Sequence, residues 1–290
     1  NDLYFLTRYL SDNTEQELNW QIVDIDSDPH TWRNAPVAYL ASDEKIVLSD
    51  HAKSNLKRYI DLGGIVLASS DSNSKSFQSS IFNLGLELYP ELSWRRALPG
   101  DPLFDVHHRI NPKKIQPIHV LSNGARDLIY LVERDWGFNF QSDNPPGKSV
   151  NWKIASNFYA LATDRGLLDN RLEATVERRM ERDTTATVTV GRAMYNGLWD
   201  MEPVAWEMLD NHVFNRTGIS VEQHPINLEE IGQSPHGLIH LGGVESHIRL
   251  TEAQVQAIKD YVDGGGTLFV ETVGGREWRD EKGRGKGIFS

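Results

Sequence analysis

Two stretches of this chain are variants of one pattern, and that pattern restricts the fold more than any other feature. "IVLSDHAKSNLKRYIDLGGIVL" (46–67) lies without a gap over "IRLTEAQVQAIKDYVDGGGTLF" (248–269). Ile46, Leu48, Lys57, Tyr59, Asp61, Gly63 and Gly64 meet Ile248, Leu250, Lys259, Tyr261, Asp263, Gly265 and Gly266. Self-similarity of this kind points to a repeated structural unit. Ser49 and Thr251 stand where a helix N-cap is expected, an acidic residue follows each, and Thr251 with Gln254 has the spacing of a capping box. Leu56, Tyr59 and Ile60, like Ile258, Tyr261 and Val262, return at helical spacing and predict one buried stripe. Glycine then ends each helix, and a short apolar run follows, "GIVLAS" or "GTLFVET".

The apolar runs "PVAYLA" (36–41) and "GLIHLGG" (237–243) lie upstream of the capped helices, so each copy reads as strand, helix, tight turn and strand, with the two strands parallel. "WQIVDI" (20–25) and "ISVE" (219–222) predict one more strand per copy. In the second copy "TATVTVGRAMY" (185–195) adds an alternating strand, and "PVAWEMLDNHVF" (203–214) adds a helix with Pro203 in its first turn. The expected fold class is α/β: two flavodoxin-like, doubly wound domains in tandem with mostly parallel sheets. The boundaries read as 1–165 for a first copy that lacks its first strand, 166–184 for a charged helical linker, and 185–290 for a second copy cut short at its C-terminus. On this reading each copy is truncated at a chain end and the sequence is an excised fragment.

Composition narrows the chemistry. A 290-residue chain has room for two domains of ordinary size. Its net charge of −11 repels nucleic acid, since the basic clusters Arg178–Arg179 and Lys113–Lys114 are short. No apolar run reaches the roughly 18 residues of a membrane span. Cysteine is absent, which removes disulfides, thiolate metal sites and cysteine nucleophiles together.

"GRAMYNGLWDMEPVAWEML", "GLIHLGG", "LTEAQVQAIKDYVDGGGTLFVETVGG" and, in the first copy, "LPGDPLFDVHHRI" resemble the bacterial domain-of-unknown-function family 4159. The resemblance covers most of residues 1–165 and 185–280. It implies a class I glutamine-amidotransferase-like fold and a place in a larger envelope-associated protein, periplasmic rather than cytoplasmic, and it brings no substrate. Where the family has His-Pro before an apolar-aromatic pair, this chain has Asp101-Pro102-Leu103-Phe104, so a role for that histidine does not carry over to Asp101.

Open parallel sheets bind ligands outside the carboxyl ends of their strands. That rule selects "NGLWDMEP" (196–203), "LGGVES" (241–246) and "ETVGG" (271–275), and with them Trp199, Asp200, Glu202, Gly242, Gly243, Glu271, Gly274 and Gly275 as candidate ligand-binding residues. The carboxylates Asp200, Glu202, Glu245 and Glu271 at such an edge can divide acid and base roles, but Glu202 reads better as the cap of the helix at Pro203. Trp199 beside Asp200 suits a sugar or a peptide, or simply closes the domain edge. The glycines lack the dinucleotide and phosphate-loop patterns and are explained by tight turns. Ser69 and Ser70 have no flanking glycines of a nucleophile elbow and read as loop residues. His236 and His240, four apart on a strand, are too distant to share one ion. No catalytic residue, metal ligand or cofactor is assigned. The expected role is that of a non-catalytic module that binds a small ligand, a partner protein or other domains of its parent chain; the alternative is a hydrolase that works through these carboxylates or through a metal held by His240, His247 and a carboxylate.

Overall fold

The computed structural model describes residues 2–14, 16–32, 34–141, 150–163, 177–245 and 248–272, together with the backbone of 278–279 and 285–286. The chain is α/β with two principal sheets and eight α-helices among these residues. It divides into two compact units, Asn1–Ser122 with Asp127–Ala174, and Asn123–Arg126 with Thr175–Ser290.

In the first unit, α1 (Asp2–Thr14) and the single turn α2 (Pro29–Trp32) precede β1 (Val37–Ser42), α3 (Asp50–Asp61) and β2 (Ile65–Ser70). Then come α4 (Lys75–Leu88), β3 (Trp94–Arg96), β4 (Ile118–Ser122), β5 (Asp127–Val132), α5 (Trp136–Phe140) and α6 (Val150–Thr163). The sheet order is β1-β2-β5-β4-β3. β1, β2 and β5 run parallel, while β4 and β3 are antiparallel additions at one edge. Every residue of β2 is buried. Its core includes Leu67, Val120, Tyr130, Trp136, Phe140, Trp152 and Phe158, and burying each such side chain contributes roughly 1.5–3 kcal/mol.

The second unit contains β6 (Ala186–Met194), α7 (Pro203–Thr217), β7 (Ile219–Asn227), β8 (Leu238–Gly243), α8 (Glu252–Asp263) and β9 (Thr267–Thr272). A two-residue antiparallel ladder, β10 (Trp278–Arg279) and β11 (Gly285–Lys286), follows. The main sheet has the order β7-β6-β8-β9 and is parallel throughout. Ile239 and Leu241 pack with Ala257 and Tyr261 of α8, whereas His240 between them meets Trp206 of α7. Alternate strand residues face opposite sides, so α7 and α8 cover opposite faces.

The two helix starts behave as their sequences require. Ser49 accepts from the Ala52 N–H, and Thr251 and Gln254 form both bonds of a capping box. α7 ends at Gly218 with φ 77°, a left-handed conformation that glycine adopts without a Cβ penalty.

Four expectations require correction. "WQIVDI" is not a strand: Ile22 is 90% exposed, and Asn55 Nδ2 donates to the Ile25 and Ser27 carbonyls, which holds this segment to α3 instead of in a ladder. Ser69 and Ser70 are not loop residues but the fully buried end of β2. On α8 the buried positions are Ala257 and Tyr261, and Val262 is exposed. In the expected helical linker, residues 166–176 lie outside the described residues and 177–184 form no helix. There the charged side chains are taken up by α7: Glu177 pairs with Arg216, and the Arg179 guanidinium lies 3.5 Å from the centroid of the Phe214 ring.

Candidate functional site

In the second sheet α7 leads from β6 outward to β7, while α8 leads from β8 the other way to β9. The ends of β6 and β8 therefore flank the point where strand order reverses, the usual place for a crevice in such sheets.

Arg192 of β6 occupies the centre of the α7-facing side and is 4% exposed. Its Nη1 donates to Gln223 Oε1 at 2.8 Å, and its Nη2 donates to Asp200 Oδ1 at 2.9 Å and to the Trp199 carbonyl at 3.3 Å. The guanidinium also lies near the rings of Trp199 and Trp206, 5.7 and 5.3 Å from their centroids. A buried cation is tolerable only with a counter-charge and hydrogen bonds, and Asp200 supplies the first. Nε has no partner among the described residues.

His240 sits in register beside Arg192 and is 3% exposed. Its Nε2 bonds Glu271 Oε2 at 3.0 Å, and its ring meets the edge of Trp206 at 5.1 Å. Burial holds its pKa below the ordinary 6.5; the charge of Arg192 acts in the same direction and the Glu271 bond opposes it. At neutral pH the ring is therefore uncharged and donates Nε2–H to the carboxylate.

Glu245, just beyond β8, is fixed by the Leu198 N–H at 2.5 Å and by the Tyr195 hydroxyl, which donates to its other oxygen. Burial, and then this bond, raise the Tyr195 phenol well above its ordinary value. Gly242 and Gly243 make room for these groups. A Cβ at Gly242 would lie 2.8 Å from the His240 ring, and one at Gly243 would lie 2.5 Å from the Tyr195 hydroxyl. Glu202 stands at the N-cap of α7 without a side-chain cap bond. Its Oε1 accepts instead from Arg126 Nε at 2.9 Å and Asn123 Nδ2 at 3.0 Å, two residues that belong to the second unit.

The structure thus gathers Trp199, Asp200 and Glu271 around Arg192 and His240, and ties Glu202 to a different cation. Gly274, Gly275 and His247 lie outside the described residues. Among those described, no three His, Asp or Glu groups are placed to hold a metal ion, and no helix is long and apolar enough to cross a membrane. Sequence reasoning missed Arg192, Trp206 and Tyr195. The signal for Arg192 was available: a charged residue inside the alternating run "TVTVGRAM" faces the sheet's interior and must have a partner.

The carboxyl edge of the first sheet is built differently. β2 passes into a single 3-10 turn, Asp71–Asn73, in which Ser72 and Asn73 have φ of 51° and 57°. Two successive non-glycine residues in the left-handed region carry a cost that the surroundings must offset. Asp135, after β5, does this: its Oδ2 accepts from the Ser72 N–H at 3.0 Å and its own N–H donates to Asn73 Oδ1 at 3.3 Å. Burial, and then Asp135, raise the Asp71 carboxyl. Glu133 accepts from His119 Nε2 at 2.7 Å, a bond that holds its carboxyl below the usual range with further help from Lys75. Beside the turn lies an open groove of about 460 Å³ bordered by Asn73, Lys114, Gln116, Arg134, Phe138 and Asn151, among others. None of these six was selected from the sequence.

A family model described as "Domain of unknown function (DUF4159)" matches residues 2–161. The chain belongs to this family. The DUF4159 match extends from α1 into α6 and so includes the groove and the left-handed turn. No curated protein matches the chain.

Proposed function

We propose that this DUF4159 protein is a non-catalytic binding module of a larger bacterial envelope-associated protein, composed of two class I glutamine-amidotransferase-like, flavodoxin-like units in tandem. The strand order β7-β6-β8-β9 with helices on opposite faces supports a doubly wound second unit. The two glycine turns described by the sequence repeat support the tandem relation.

One observation carries the non-catalytic reading. Each carboxylate that the sequence offered at the second edge is bonded to a fixed donor: Asp200 to Arg192, Glu202 to Arg126, Glu245 to Tyr195 and Glu271 to His240. Acid–base catalysis by a carboxylate pair needs two such groups with opposed proton affinities facing one substrate. Charges paired in this way instead make a shaped, rigid surface. Trp199 and the exposed side of Asp200 give it an indole face and an acceptor, a combination suited to a small polar ligand or a partner loop.

The test is a thermal-shift screen of the full chain against sugars, peptides and nucleosides. A ligand should raise the melting temperature, and Trp199→Ala should abolish the response without unfolding the protein. A second reading, a hydrolase, rests on the buried neutral His240 bonded to the half-exposed Glu271. Turnover on an ester, amide and glycoside panel that vanished in Glu271→Gln would establish that reading and overturn the first.

A further inference from the structure

We propose that the groove of the first unit is a binding site for an acidic sugar, a saccharide that carries a carboxylate. This site is separate from the one in the second unit and stands whether or not that one binds anything.

Position is the first argument. The groove lies beyond the carboxyl ends of the parallel strands β2 and β5, because Asn73 follows β2, and Arg134 and Phe138 follow β5. In parallel sheets that edge is where ligands bind. Its volume, about 460 Å³, is within the range of small-molecule sites.

Charge is the second. The protein carries a net charge of −11, yet two cations, Lys114 and Arg134, border this groove. Neither forms an ion pair among the described residues, and both are exposed. A guanidinium and an ammonium converging on one opening match a carboxylate, which the guanidinium can take in bidentate fashion. Asp135 also faces the groove, but its Oδ1 accepts from the Phe138 N–H at 2.7 Å and its Oδ2 from the Ser72 N–H. Those two bonds occupy one lone pair on each oxygen, and its charge offsets one of the two cations, so that Lys114 and Arg134 against Asp135 leave the lining with a formal charge of +1.

The rest of the lining suits a sugar. Asn73, Gln116 and Asn151 contribute carboxamides, each of which donates and accepts and so matches a hydroxyl group, which does the same. Phe138 is 72% exposed at the rim; an aromatic ring held open to water beside carboxamides provides an apolar platform for the C–H face of a pyranose. A phosphate would use the cations and ignore the amides and the ring. A neutral sugar would use the amides and the ring and ignore the cations. An acidic sugar uses all three.

The left-handed turn fits this role. Asn73, one of its two non-glycine residues, lines the groove, and Asp135 holds the backbone there in place. A preorganised polar edge loses less entropy when a ligand binds.

The experiment is isothermal titration of the full chain with glucuronate and short oligoglucuronates, with glucose oligomers and inorganic phosphate as comparison probes. The acidic sugars should bind, and Arg134→Ala and Lys114→Ala should each weaken them by about tenfold, the loss expected for one charge-assisted hydrogen bond. Phe138→Ala should weaken them as well, while Lys113→Ala, a neighbouring lysine outside the groove, should not. Equal affinity for glucose oligomers, equal affinity for phosphate, or no binding by any of the probes would each overturn the proposal. If a variant fails to fold, chemical-shift perturbation in the wild-type protein decides: shifts at Asn73, Gln116 and Asn151 support the site, and shifts confined to other surfaces refute it.

Discussion

The turns at Gly63–Gly64 and Gly265–Gly266 have nearly the same local structure in very different surroundings. In both, the first glycine has positive φ, 105° and 92°. In both, the second glycine's N–H bonds back to the tyrosine five residues earlier, at 3.0 Å in each case. That tyrosine covers the glycine so closely that an added Cβ would lie 2.3 Å from its ring. Its hydroxyl then reaches the segment that leads into the strand before the helix, at the Ala35 carbonyl in one unit and the His236 carbonyl in the other. The strands that follow diverge. β2 is buried at every residue between β1 and β5, whereas β9 forms the sheet edge with Phe269 and Val270 half exposed. Local sequence determines how a helix turns into a strand; the number of neighbours that strand acquires depends on elements far away in the chain.

The sharpest way to break this comparison is to add the missing carbon atom. Gly64→Ala forces Tyr59 off its glycine inside a packed core where Tyr59 also stacks on Trp32 at 5.4 Å. Overpacking of this kind should cost about 3 kcal/mol. Gly266→Ala makes the same clash with Tyr261 beside an edge strand that can move, and should cost about 1 kcal/mol. Chemical denaturation followed by hydrogen exchange in α3–β2 and α8–β9 would measure both. Equal losses would show that the turn, not its surroundings, sets the stability at each site.

The aligned residues Leu67 and Phe269 test the strands themselves. Leu67→Ala, at a 4%-exposed position, should cost about 2–5 kcal/mol through lost burial and a cavity. Phe269→Ala, half exposed already, should cost less than about 1 kcal/mol.

The same contrast explains what was legible beforehand. Both capped helices, their glycine stops and the strands β1, β2, β6, β7, β8 and β9 were readable because caps, helical periodicity and glycine act within a few residues of themselves. "WQIVDI" has the composition of a strand, but no neighbour pairs with it, and composition does not encode a neighbour. The candidate site was legible to a similar degree. Trp199, Asp200 and Glu271 were singled out because they follow strands. His240 was named too, as a metal ligand and not as the partner of Glu271; Arg192, which gives Asp200 its partner, was not, since its place beside His240 depends on register between β6 and β8. The groove of the first unit was hidden for the same reason, because Asn73, Lys114, Arg134 and Asn151 are brought together only by the fold.

Acid lowers the stability of both units, through different groups and in two pH windows. His240 has a folded pKa below its unfolded value, so the unfolded chain binds more protons as pH falls through about 6.5 and stability drops there. His236 in the second unit and His108 in the first shift in the same direction. Glu133 in the first unit acts in the same direction at lower pH: its contribution is complete above the ordinary 4.5 and is lost as pH falls through its lower folded value. Melting temperature should therefore decline between pH 7.5 and 5.5, and His240→Gln should reduce that decline while leaving the loss at lower pH intact. An unchanged slope in His240→Gln would mean that His240 does not stay neutral in the folded protein.

The smallest effect bears on the helix starts, where the two units should be most alike. Ser49→Ala removes the bond from the Ala52 N–H, and Thr251→Ala removes the one from the Gln254 N–H. Each should cost about 1 kcal/mol. Thr251 has one more bond, from its own N–H to Gln254 Oε1 at 3.0 Å, and that bond survives the loss of the threonine hydroxyl because it uses the backbone. Gln254→Ala should then cost roughly 0.5 kcal/mol further, a term for which α3 has no counterpart because Ala52 stands where Gln254 does. If Ser49→Ala proved much more damaging than Thr251→Ala, the surrounding core would be setting the cost even at an exposed cap, and the division between local turn chemistry and distant packing would fail at the place where it should hold best.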